Sequence, residues 1–104
     1  MNEEKIQEIQ ILEQRLQNTI LQKQAFQIEI AETNSALEEI EKSGGEVFKI
    51  IGQLMIKSEK SKIKEELLEK KKILELRIKS FEKQESSLAE QLEKIREEIQ
   101  NQIE

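Results

Sequence analysis

Two segments with heptad spacing of apolar residues flank one short insert, and this symmetry constrains the fold more than any other feature. The insert runs from Gly44 to Lys57 and is rich in apolar and β-branched residues. Helices of about 40 residues with a narrow apolar seam must pair to bury it, and a lone two-stranded hairpin is only marginally stable in water. The chain is therefore predicted to be one part of an assembly, and its function is expected to belong to that assembly.

The first segment carries a seam whose members recur at alternating spacings of three and four. Taking Ile9 as an a position places Leu12 at d. The seam comprises Ile9, Leu12, Leu16, Thr19, Lys23, Phe26, Ile30, Thr33, Leu37 and Ile40. The helix is predicted to end near Ser43, because Gly44 can take the left-handed conformation of a C-terminal cap.

The second segment restarts its heptads after a short polar stretch. Either Ser58 or Ser61 can cap the helix N-terminus, and Ser61 fits slightly better because the heptad begins directly after it. The d positions are Leu67, Leu74, Phe81, Leu88 and Ile95, and the a positions are Lys64, Lys71, Ile78, Glu85, Leu92 and Ile99. The sequence contains no proline, so nothing of that kind forces a break in either helix.

The insert is predicted to form a β-hairpin. Residues 47–51 and 53–57 are predicted strands, and Gly52 is the predicted turn residue because it accepts a positive φ without steric cost. The predicted bounds are a helix over 4–43, a hairpin over 46–57 and a helix over 61–103, within a single domain of residues 1–104. The predicted fold is mainly α: a long antiparallel two-helix coiled coil with a β-hairpin inserted between its helices.

An antiparallel register in which paired residue numbers add up to 104 places a positions against d positions. It pairs Leu12 with Leu92, and it also collects polar seam residues, such as Thr19 beside Glu85. Further pairs in this register are Leu37 with Leu67, Ile30 with Leu74, Phe26 with Ile78, Leu16 with Leu88 and Thr33 with Lys71. Lys23 falls beside Phe81 and Lys64 beside Ile40, and each lysine is expected to keep its ammonium in water.

The residues that most enzymes and many binding sites require are missing. Without histidine or cysteine, most zinc sites and all Ser-His or Cys-His nucleophiles are excluded, and no glycine-rich phosphate loop is present. Carboxylate pairs such as Glu38-Glu39 are expected on exposed helix faces. We therefore expect no enzymatic activity, no catalytic, cofactor-binding or metal site, and no cofactor.

Charge and hydropathy limit the partners. The net charge of −5 argues against nucleic acid, whose phosphates favour a basic face. The longest apolar run is Leu54-Met55-Ile56, too short to span a membrane, and the acidic start does not resemble a signal peptide. No cysteine means no disulfide. A soluble, cytoplasmic protein with neither a nucleic-acid nor a membrane partner is expected.

Two surfaces are the candidate functional sites. The hairpin is predicted to join strands of sister subunits in a shared sheet or barrel, and the alternative is that it folds onto its own helices. Its assembly residues are Val47, Phe48, Ile50, Ile51, Leu54, Met55 and Ile56. The tip, at the far helix ends, is predicted to be an apolar patch for non-native polypeptide; the alternative is a slightly broad seam with frayed ends. The tip residues are Ile6, Ile9, Ile11, Leu12, Ile95, Ile99 and Ile103.

With these residues in view, the chain resembles the β-type subunits of the prefoldin family. The hairpin carries the most specific likeness, with the motif Glu46-Val47-Phe48-Lys49-Ile50-Ile51-Gly52-Gln53-Leu54-Met55-Ile56-Lys57. Flanking stretches that match are Leu21-Gln22-Lys23-Gln24, Ala36-Leu37-Glu38-Glu39-Ile40-Glu41 and Leu74-Glu75-Leu76-Arg77-Ile78-Lys79-Ser80-Phe81-Glu82-Lys83-Gln84-Glu85. The single hairpin indicates the β class, because the α class has two.

The resemblance implies a co-chaperone subunit that acts without ATP. Two α-type and four β-type subunits would form a hexamer in which the hairpins build an inter-subunit β-barrel. The coiled-coil tips would hold unfolded proteins and deliver them to a group II chaperonin. Composition favours an archaeal source. A structural coiled-coil adaptor that scaffolds one folded partner is the alternative, and a DNA-binding coil is disfavoured by the charge.

Overall fold

A computed structural model describes residues 3–103 of the chain, with side chains described up to residue 102. Helix α1 spans Glu3–Lys42, strands β1 and β2 span Val47–Ile51 and Leu54–Ser58, and helix α2 spans Lys60–Ile103. The predicted fold, two long helices with a β-hairpin between them, is confirmed. The helices form two compact units: unit 1 holds residues 3–25 and 77–103 of the described chain, and unit 2 is Phe26–Leu76.

The heptad pattern decides which side chains are covered. Every seam position predicted in the two segments is buried or half-buried, and most b, c and f positions are exposed. The six most deeply buried apolar residues are Leu12, Ile40, Leu74, Phe81, Leu92 and Ile95. All six are a or d positions, so the 3.5-residue period predicted from the sequence determines the packing.

Unit 1 has an aliphatic core in which both helices take part. Leu12, Leu92 and Ile95 are buried together, and four half-buried residues pack against them: Ile9, Leu16, Leu88 and Ile99. Ion pairs flank this core, with the Arg96 guanidinium 2.8 Å from the Glu13 carboxylate. Leu12 and Leu92 come together as the antiparallel register predicts. Full burial of each leucine stabilises the pair by about 1.5–3 kcal/mol.

A polar layer interrupts the seam of unit 1. Thr19 is buried, and its hydroxyl donates to the Arg15 carbonyl oxygen of the same helix at 2.9 Å. The Lys23 ammonium donates to the Glu85 carboxylate at 2.5 Å. The Lys23 ammonium, which was expected to stay in water, thus forms an ion pair with Glu85 that is partly buried. The seam glutamate is the reason, since an unpaired carboxylate there would lose hydration without compensation.

Unit 2 repeats the arrangement with its own polar layer. Thr33 is buried and donates its hydroxyl to the Glu29 carbonyl oxygen at 2.9 Å. Lys64 forms an ion pair with Glu41 at the surface of the unit. The hydrogen bond and the charge of Lys64 hold the pKa of the Glu41 carboxyl below its usual range. Both side chains are well exposed, so we expect this pair to contribute little stability.

The helix ends differ from the predicted caps. Gly44 is not in the left-handed conformation; among the described residues only Gly52 has a positive φ. Helix α1 instead ends with the Ser43 N–H donating to the carbonyl oxygens of Glu39 and Ile40, at 3.0 and 3.2 Å.

The start of α2 also lacks the predicted serine cap. Ser61 lies inside the helix, which begins at Lys60, and the Ile63 N–H donates to the Glu59 carbonyl oxygen at 3.1 Å. The Ser58 hydroxyl donates to the Ile56 carbonyl oxygen at 3.4 Å rather than accepting from the helix. The Lys60 ammonium donates to the Ser43 carbonyl oxygen at 2.8 Å. This contact joins the two helix ends that border the hairpin.

The two strands pair antiparallel, with Val47 opposite Ser58 and Ile51 opposite Leu54. The predicted turn at Gly52 is confirmed, with a φ of 59°. Strand β2 begins one residue later than predicted, so the turn contains both Gly52 and Gln53. A two-residue loop with glycine first matches a type II′ turn, whose twist suits the flanking strands.

Replacing Gly52 with alanine is expected to destabilise the hairpin by about 1 kcal/mol, because an L-residue is strained at this φ. Nothing lies within 4 Å of the position that a Cβ would take, so the strain is purely in the backbone. Gly45→Ala is the matched control, since Gly45 also has open space and no positive φ. Denaturant unfolding that gives equal stabilities for the two variants would contradict this account of the turn.

Candidate functional site

The hairpin presents apolar side chains on both of its faces. Cross-strand partners share a face, so Phe48, Ile50 and Met55 lie on one side, which we call the Phe48 face. Ile51, Leu54 and Ile56 lie on the opposite side, which we call the Ile51 face. All six are exposed, and Phe48 retains 50% of its accessible surface. Val47, the remaining predicted assembly residue, is half-buried.

The hairpin does not bury this surface on its own helices. The alternative in which it folds onto the coil requires its apolar side chains to be covered, and the structure leaves six of the seven exposed. The two strands form a sheet of their own within the described chain, so each has one unpaired edge. Unpaired edges with apolar side chains are a template for strands of another chain.

Ion pairs tie the hairpin to its surroundings without covering it. The Lys49 ammonium lies 2.9 Å from the Glu66 carboxylate of α2. Lys57 of β2 pairs with Glu46 at 2.9 Å. Lys49 points to the same side of the sheet as Ile51. Its ion pair with Glu66 therefore connects the Ile51 face to helix α2. These contacts position the strands while their apolar side chains stay accessible.

The structure divides the predicted tip residues into three groups. Ile6 and Ile11 are exposed, at 48% and 54%. Ile9 and Ile99 are half-buried, and Leu12 and Ile95 are buried in the aliphatic core of unit 1. The seventh, Ile103, lies outside the described side chains.

Because of this division, only some of the described tip side chains are accessible to a partner unless the structure rearranges. Leu12 and Ile95 contact Leu92 and hold the helices together, so they are available to a partner only if the end of the coil opens. Ile11 lies at a c position, beside a shallow surface cavity lined otherwise by polar side chains of α1. Among the described members of this set, Ile6 and Ile11 are therefore the apolar side chains that a partner can reach directly.

A further group of exposed apolar residues was not predicted as a candidate site. They occupy c, e and f heptad positions, outside the seam, and comprise Leu21, Ile28, Leu68, Ile73 and Leu76. The signal was present in the sequence, because these heptad positions are normally polar in a two-helix coil. The predicted seam comprises a and d positions alone, so it does not include them.

The described chain provides little for metal chemistry. Within residues 3–103 no three acidic side chains gather in the way that a metal ion would require. Over the same range, neither helix combines the length and the apolar character needed to cross a membrane.

Comparison with known proteins gives a consistent result. A family model described as prefoldin subunit matches residues 3–104. The chain is 44% identical over 90 residues to the prefoldin subunit beta of Thermococcus onnurineus, covering 85% of this chain and 78% of the relative. It is 41% identical over 91 residues to that of Pyrobaculum islandicum, covering 86% and 73%.

A solved structure is also similar. The crystal structure of the prefoldin beta subunit from Thermococcus strain KS-1 superposes with a TM-score of 0.89 at 36% sequence identity. The match covers 93% of this chain and 87% of that one. The hairpin between two helices is therefore shared with a solved member of that group.

Proposed function

This chain is a β-type member of the prefoldin family of chaperones, and from that premise we propose that it is a holdase subunit. In this role it binds unfolded polypeptide at the coiled-coil tip without ATP and passes it to a group II chaperonin. The observation that carries the proposal is the pair of exposed isoleucines, Ile6 and Ile11, near the start of α1 in unit 1. The chain works in the cytoplasm, together with other prefoldin subunits.

Assembly through the hairpin is the first part of the proposal. The exposed Phe48 and Ile51 faces and the two unpaired strand edges support it, because pairing with neighbouring strands removes both from water. The complex contains two α-type and four β-type subunits, and their hairpins form a closed barrel. Closure leaves no edge available for aggregation.

Client holding is the second part. Among the described tip residues only Ile6 and Ile11 are exposed, so each contact with an unfolded chain is weak and short-lived. Several tips in one complex act on the same client, and multivalency raises the overall affinity while each contact remains releasable. This combination suits transfer of the client to a chaperonin without nucleotide hydrolysis.

The double substitution Ile6→Ser and Ile11→Ser is expected to weaken client holding several-fold without disturbing assembly. Both side chains are about half exposed, so their loss removes client contacts rather than packing. The complex reconstituted with an α-type partner is mixed with a chemically unfolded protein on dilution, and light scattering is followed. Near-stoichiometric complex should suppress aggregation without nucleotide, and the variant complex should do so poorly.

Ile28→Ser is the control, because Ile28 is an isoleucine that is at least as exposed, at 61%, but lies in unit 2. Equal protection by wild type and the double variant would move the client site away from Ile6 and Ile11. Unchanged aggregation in the presence of correctly assembled wild-type complex would reject the holdase function. That result would favour an adaptor for one folded partner.

A further inference from the structure

Unit 2 contains a groove that the proposed function does not use. It lies between α1 and α2 and is an open groove of about 830 Å³, and its apolar lining, which we call its floor, consists of Phe26, Ile73 and Leu74. We propose that this groove, the Ile73 groove, binds cationic, apolar segments of unfolded polypeptide as a second client site. The inference rests on the proposed holdase function and adds to it a preference for one class of sequence.

The floor of the groove supplies the apolar contact. Ile73 is 52% exposed although it lies beside the buried Leu74, and Phe26 of α1 is half-buried. An isoleucine at a c position contributes nothing to the seam, so its exposure is not explained by pairing of the helices. A bound apolar side chain would remove Ile73 from water and fill the space next to Phe26 and Leu74.

The walls of the groove are acidic once internal ion pairs are taken into account. The Glu29 carboxylate is neutralised by Lys70 at 3.3 Å, and the Glu66 carboxylate by Lys49 at 2.9 Å. Glu65 and Glu69 also line the groove, and neither has an ion-pair partner among the described residues. Lys62 is the one remaining lysine of the lining, so the uncompensated charge is negative.

Two acidic residues and one apolar residue of the groove lie in one row along α2. Glu65, Glu69 and Ile73 follow each other at intervals of four residues, so they form one row along α2. A segment whose lysine or arginine side chains flank a leucine or phenylalanine places charge against the carboxylates and apolar surface against Ile73. The net charge of −5 on the chain adds a longer-range attraction for such segments.

The negative charge of the groove disfavours occupants that are not cationic. An acidic segment meets Glu65 and Glu69 without compensation, and nucleic acid phosphates are repelled for the same reason. A purely apolar segment gains contact with the apolar floor of the groove but no favourable electrostatic interaction with its acidic walls. The groove therefore distinguishes unfolded chains by their charge, which a tip made of isoleucines does not.

The test uses the complete complex and two fluorescent peptides that share the same leucine and phenylalanine residues. One peptide carries four lysines and the other carries four glutamates at the same positions. Wild-type complex is expected to bind the lysine peptide about tenfold more tightly at low salt, and the difference should shrink as ionic strength rises. The double variant Glu65→Lys and Glu69→Lys should abolish or reverse the preference, and Ile73→Ser should weaken both peptides.

The matched control is Glu82→Lys with Glu90→Lys, which makes the same change in net charge on exposed positions of unit 1. If this control abolishes the preference equally, the effect comes from overall charge and the groove proposal is wrong. If the groove variants prevent assembly instead, a neighbouring subunit covers the groove, which also overturns it. Wild-type complex that suppresses client aggregation but shows no preference rejects this inference alone and leaves the holdase function standing.

Discussion

Phe48→Asp is expected to disperse the complex into free subunits. Phe48 lies on an apolar hairpin face with Ile50 and Met55 and is half exposed in the single chain. Losing its burial in the assembly costs about 2 kcal/mol, which weakens each interface roughly thirtyfold. The buried carboxylate adds a desolvation cost to this loss. Because the change is repeated in every β-type subunit, the native mass measured after mixing with the α-type partner should fall to that of subunits.

Ile28→Asp provides the comparison for this experiment. It introduces the same charge at an isoleucine that is exposed on helix α1, away from the hairpin. The Ile28 variant should retain the mass of the wild-type complex. If Phe48→Asp does so as well, the hairpin is not the assembly surface and the barrel proposal is wrong.

Leu92→Ala is expected to destabilise unit 1 by about 2–5 kcal/mol, the usual cost of removing a buried leucine side chain. Leu92 is 3% exposed and contacts Leu12 and Ile95 at the centre of the aliphatic core. The loss should appear as faster amide hydrogen exchange in residues 3–25 and 77–103, by about thirtyfold or more.

Leu21→Ala makes the same chemical change at an exposed position of unit 1. Its expected effect is small, because it leaves no cavity and alanine favours the helix. Exchange rates that respond equally to the two substitutions would show that Leu92 does not hold the helices together. Client holding by the Leu92 variant also reveals whether opening the end of the coil exposes Leu12 and Ile95 to clients.

The sequence predicted the seam well because a and d positions are set by a simple period. Leu12, Leu74 and Leu92 are buried where the heptads place them. The turn at Gly52 was predictable for a similar reason, since only glycine accepts its φ without strain. Both features depend on local rules that leave few alternatives.

Other features depend on long side chains, whose contacts the heptad pattern does not determine. Lys23 is long enough to turn toward water or toward Glu85, and only the three-dimensional arrangement shows the ion pair. The helix ends are stabilised by Lys60 and by the Ser43 N–H rather than by the glycine and serine caps that local preference favours. The Ile73 groove needs residues of both helices, so no single stretch of sequence displays it.

The exposed hairpin has a consequence for the supply of this subunit in the cell. A copy made in excess of its partners would display Ile50, Leu54 and Met55 together with open strand edges. On a free copy these features favour aggregation, because unpaired strand edges and exposed apolar patches bind other chains. We therefore expect a copy without partners to be more prone to aggregate than one whose hairpin is paired.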